Sequence, residues 1–77
     1  MEYNLLPVLV ECIITFMKSL IRLYDQGYID YSVFETCSAI KLEFLKNNIG
    51  RIEDPGIIKE VNDIIDKSET FLARTAV

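Results

Sequence analysis

The chain has 77 residues, 51% of them apolar, with 12 acidic against 8 basic side chains for a formal charge of −4, and no histidine. That length makes one domain, residues 1–77, and the apolar content excludes an intrinsically disordered chain. An acidic chain without a basic block is poorly matched to the phosphates of nucleic acid or to an anionic lipid surface.

The segment from Asn4 to Tyr24 is apolar around most of a helical circumference, with Glu11, Thr15, Lys18, Arg22 and Gln26 on one thin polar line. Asn4 can serve as N-cap, and Pro7 falls in the first turn, where its missing N–H is harmless. The first helix is expected over about residues 4–26, ending on Gly27 as a C′ residue able to take positive φ. Only Glu2 is charged before Glu11, so a signal peptide with a basic leading region is not expected. Glu11, Lys18 and Arg22 interrupt the run of about twenty apolar residues that a membrane span needs. A protein-covered helix in a cytoplasmic protein is the expectation.

The linker Gly27–Tyr31 is short, which favours an antiparallel helix pair. Asp30 or Ser32 can cap a second helix over about 31–48, with Glu35 well placed near its positive end. Its expected inward face is Val33, Phe34, Cys37, Ile40, Phe44 and Leu45, with Ala39 and Leu42 on the flanks. Glu35, Ser38, Lys41, Glu43 and Lys46 make the expected solvated side. Arg51–Asp54 reads as a loop, and Asp54-Pro55 opens a third helix over about 55–74. There Ile57, Val61, Ile64, Ser68 and Phe71 alternate by four and three beside Ile58, Ile65 and Leu72, the face of a bundle helix. Lys59–Asp63 and Asp63–Lys67 have the spacing of surface pairs.

The fold class that follows is all-α, a three-helix up-down-up bundle. The second and third helices each offer one apolar face, enough for about two sides of the first. Its remaining flank, Leu5, Val8, Leu9, Cys12, Ile13 and Phe16, is left bare in a monomer. Large contiguous apolar patches mark interaction sites, so a homodimer through the first helix, or an obligate partner, is expected. Cys12 and Cys37 lie on apolar helix faces and read as small core hydrophobes or as a bridge. Two cysteines without histidine do not make a metal site, and no cofactor is expected.

Residues Leu20, Leu23, Gly27, Ile29, Phe34, Lys41 and Leu45 resemble the short bacterial C-terminal helical hairpin, with a spacing that departs from its pattern after the phenylalanine. The resemblance covers about a third of the chain and implies an oligomerisation or docking module. Tyr24, Tyr28 and Tyr31 cluster at the first turn with Phe34 close by, a set that can cap the bundle end or bind a partner. Residues 53–69 hold six acidic side chains against Lys59 and Lys67, a solvated helix face or a strip that steers a basic partner.

No histidine stands ready to activate Ser32, Ser38 or Ser68, and exposed carboxylates lack the burial that tunes an acid or base. The expected function is therefore non-enzymatic: a small protein-binding regulator of bacterial or phage type, an inhibitor, anti-factor or adaptor. The alternatives are a dimeric nucleic-acid regulator using Lys41, Lys46 and Arg51, and a structural assembly subunit.

Overall fold

The computed structural model describes residues 5–75, with the side chain of Thr75 left out. These residues form three α-helices packed against one another: α1 (Leu6–Asp25), α2 (Tyr31–Asn48) and α3 (Pro55–Thr75). A 3₁₀ turn spans Ile49–Arg51, and no strand occurs among the described residues. Leu5 occupies the N-cap position of α1 in helical geometry without a side-chain cap, and Pro7 stands in the first turn. Asn4, the expected cap, lies outside the described residues.

Local chemistry accounts for the other boundaries. At the end of α1 the Tyr28 amide donates to the Leu23 carbonyl at 2.9 Å and the Gly27 amide to the Tyr24 carbonyl at 3.1 Å. This pair of bonds is the Schellman motif, which requires a left-handed residue between them. Gly27 supplies it with φ 81°. Asp30 then caps α2, its Oδ1 accepting from the Val33 amide at 2.9 Å. The Asp54 carboxylate accepts from the Gly56 amide at 2.8 Å at the start of α3, where Pro55 provides a pre-set φ.

Helix directions follow from cross-helix contacts. Tyr24 stacks on Phe34, and Phe16 lies beneath Lys41, so α2 runs against α1. Lys18 meets Glu60 and Tyr24 meets Phe71, so α3 runs with α1. The radius of gyration is 13.2 Å, longer than the roughly 11.5 Å of a compact domain of this length. Three parallel rods have more surface for their volume than a sphere, and that surface must be accounted for.

The core draws Val10, Ile14, Met17, Leu20 and Ile21 from α1, and Val61 and Ile64 from α3. From α2 it takes Phe34, Leu42 and Leu45, together with Ser38. This corrects the inward face expected for α2. Leu42 and Ser38 are buried, whereas Val33 and Ile40 are exposed. Two apolar stripes run along α2, and packing against α1 and α3 turns the one containing Ser38 inward. Ile52, in the loop after the 3₁₀ turn, is also buried and closes the end of the core near Pro7.

Ser68 is fully enclosed on α3, and its hydroxyl has no hydrogen-bond partner. A buried unsatisfied polar group costs about 1–3 kcal/mol, and alanine also suits a helix better. Ser68→Ala should therefore raise stability by about 1 kcal/mol, read as a higher urea midpoint at fixed protein concentration. At Gly27 a Cβ meets nothing within 4 Å, so Gly27→Ala should lower stability by about 1–2 kcal/mol from left-handed strain alone.

Candidate functional site

Helix α1 carries three faces. One is the core stripe. A second holds Glu11, Thr15, Lys18 and Arg22, all exposed, and borders α3. The third is apolar and bare: Leu5 (59% exposed), Val8, Leu9, Cys12 and Phe16. Leu23 extends it toward the turn. Ile13, expected on this flank, is instead half-buried and packs against the core, because its position turns it toward α2. Cys12 is an exposed free thiol and Cys37 a half-buried one, so neither is a core residue in the full sense and no bridge joins them.

The bare residues have a regular spacing. Leu5, Leu9, Cys12, Phe16 and Leu23 step by four and three, with Ser19 filling the one gap. At 100° per residue this line lies roughly 120° around the helix from the core stripe. Spacing of this kind is the seam along which one helix packs on another.

The aromatic end of the bundle is mostly closed. Phe34 has no exposed surface, which corrects its expected role at a partner site. Tyr24 stacks on it with ring centroids 4.6 Å apart, and Phe71 meets both rings edge-on. Tyr24 and Tyr31 are half-buried, and Tyr31 donates to Glu35 Oε2 at 3.2 Å. Tyr28, at 75% exposure, is the most open aromatic of the four expected site residues. Phe71 was assigned only to the core by its spacing, and its place in this cluster needed the relative height of α1 and α3.

Charges pair across helices. Lys18 Nζ lies 3.9 Å from Glu60, and Lys46 Nζ lies 2.6 Å from Glu69. All four side chains are about half exposed, so each pair contributes at most about 1 kcal/mol. The expected Lys59–Asp63 and Asp63–Lys67 pairs are not among the ion pairs of the described residues. A groove of about 520 Å³ between α1 and α3 is lined by Lys18, Arg22, Asp25, Glu60, Asp63 and Lys67. Its alternating signs offer no single-sign field to a charged ligand. No group of three metal-ligating side chains occurs among the described residues. Lys41 sits over Phe16, with Nζ 5.1 Å from the ring centre, and Lys46 is engaged by Glu69, so these two do not form a free basic patch with Arg51. No helix among the described residues is long and apolar enough to cross a membrane.

No family model, no curated protein and no solved structure matches this chain. No match supports the likeness of residues 20–45 to the bacterial helical hairpin.

Tyr31 offers a probe of the aromatic end. Its phenol is raised above the ordinary value of 10.0, first by desolvation, then by the hydrogen bond to Glu35, the charge of Glu35 and Tyr24. A raised folded value means that its contribution to stability is complete below pH 10 and is lost as pH rises through the folded value. Ultraviolet titration should place the ionisation of Tyr31 above 10.0, and Glu35→Gln should shift that step toward 10.0. An unchanged step in the variant would remove Glu35 as a cause.

Proposed function

We propose that this chain is a small non-enzymatic protein-binding regulator of bacterial or phage type, an inhibitor, anti-factor or adaptor. It works in the cytoplasm by surface contact, as a homodimer joined through α1. The supporting observation is the bare flank of α1, where Leu5, Val8, Leu9, Cys12 and Phe16 remain exposed after α2 and α3 have packed. At roughly 25 cal/mol per Å², covering such a flank is worth a sizeable part of a small domain's stability. Tyr28 and the edge of Tyr31, at the turn between α1 and α2, are the surface offered to a heterologous partner.

Light scattering tests the reading. The wild type should show twice the 8.9 kDa mass of the chain. Cys12→Glu should show a single chain mass with unchanged helical content, since Cys12 is exposed in the monomer and a charge there opposes only association. A wild type that stays monomeric at about 100 μM would overturn the self-association reading. Loss of helix in Cys12→Glu would show that Cys12 supports the monomer instead.

A further inference from the structure

The bare flank of α1 does not end at its own edge. On α2, Val33, Cys37, Ile40 and Phe44 step by four, three and four, the same seam spacing as on α1. Ile40 is 73% exposed and Val33 is also exposed, while Cys37 and Phe44 are half-buried. Val33 and Ile40 stand outside the core, while Cys37 and Phe44 pack against it from one side. The contact between Lys41 and the Phe16 ring places this side of α2 directly beside the bare side of α1. The opposite side of α1, with Lys18 and Arg22, faces α3. Two antiparallel helices thus present adjoining apolar seams on the side of the bundle away from the α3 groove.

We propose that this two-helix face is a self-association surface, on which a second copy lays its own α1–α2 hairpin to form a four-helix layer about a two-fold axis. The inference rests on the self-association reading above and changes its site, from α1 alone to α1 and α2 together.

Three observations favour a second copy over another protein. First, each seam needs a helix with the same spacing opposite it. A two-fold copy supplies two antiparallel helices that carry that spacing. Second, the charge is elsewhere. The acidic residues Glu60, Asp63, Asp66 and Glu69 are on α3, and Lys41 is the charged side chain set between the two seams. Two copies of a chain of net charge −4 can therefore meet here without opposing their acidic strips, and each Lys41 can carry its amine to the rim along its stem. A basic partner would be drawn to α3 instead.

Third, the size is right. The seam runs about 27 Å on α1, from Leu5 to Leu23, and about 17 Å on α2, from Val33 to Phe44, each about 10 Å wide. That gives roughly 450 Å² in projection, and more once the corrugation of the side chains is counted. A stable pair needs roughly 600–800 Å² of accessible surface per partner. The seam of α1 alone, about half as wide, falls well short.

The experiment is sedimentation or light scattering across a concentration series for the wild type, Leu9→Glu, Ile40→Glu and Asn62→Glu. Both Leu9 and Ile40 are exposed in the monomer, and Asn62 is exposed on α3 as a control. The expected result is a dimeric wild type and control, with the dissociation constant raised at least tenfold in both Leu9→Glu and Ile40→Glu. Circular dichroism should be unchanged in all four. Alkylation of Cys12 should be slow in the wild-type dimer and fast in Ile40→Glu.

If Ile40→Glu dimerises as the wild type does while Leu9→Glu dissociates, α1 alone is the interface. The present inference would then fail while the broader reading survived. A monomeric wild type would overturn both. A dimer lost in Asn62→Glu but kept in the other two would move the interface to α3 and overturn both as well.

Discussion

Two helices can cover only two flanks of a third. In this bundle that geometric limit meets a helix, α1, whose polar residues occupy one thin line. The core stripe from Val10 to Ile21 takes α2 and α3, and the polar line takes water and the α3 ion pair. What remains of α1 is apolar and uncovered. The elongated shape follows from the same arrangement, since each helix is a rod of about 30 Å and no fourth helix occurs among the described residues. The bare apolar surface is therefore a direct remainder of how the core is built.

The two ends of the bundle are closed by different means. At the turn between α1 and α2, four aromatic rings, Tyr24, Tyr31, Phe34 and Phe71, stack and meet edge-on. At the other end the backbone does the work. The 3₁₀ turn shortens the connection after α2, and Ile52 is driven inward from the loop. With both ends largely sealed, most of the uncovered apolar surface lies on the long side of the molecule, and Tyr28 adds an exposed ring at the turn. The long-side part lies on helices rather than on loops, which hold its side chains in fixed relative positions.

How far this could be read without coordinates varies along the chain. The helix boundaries carry their own chemistry at Gly27, Asp30 and Asp54-Pro55; α3 has one dominant apolar stripe, and on α1 the thin polar line marks out the apolar remainder. On α2 the pattern was ambiguous. Val33, Cys37, Ile40 and Phe44 form one stripe, and Phe34, Ser38, Leu42 and Leu45 form another beside it. Hydrophobicity favours the first, because Ser38 interrupts the second. Packing selects the second, because side chains of the right size at Phe34 and Leu42 fill the space between α1 and α3. That choice is tertiary and leaves no local signal. Ile52 was illegible for a related reason: a lone isoleucine in a loop has no period. Phe34 stands both on the expected inward face of α2 and in the aromatic cluster, and its nearness to three tyrosines in sequence says nothing about which of the four rings lies underneath.

The Schellman turn at Gly27 has a kinetic consequence. It joins α1 and α2 within a few residues, and the connection to α3 is equally short, so little loop entropy is lost when neighbouring helices meet. Chains whose contacts are this local fold in the microsecond to millisecond class. The hairpin, with both apolar seams already in register, is thus assembled within one molecule long before diffusion at micromolar concentration can bring a second to it. The bare seams are therefore a property of the folded single chain, complete before any encounter with another molecule.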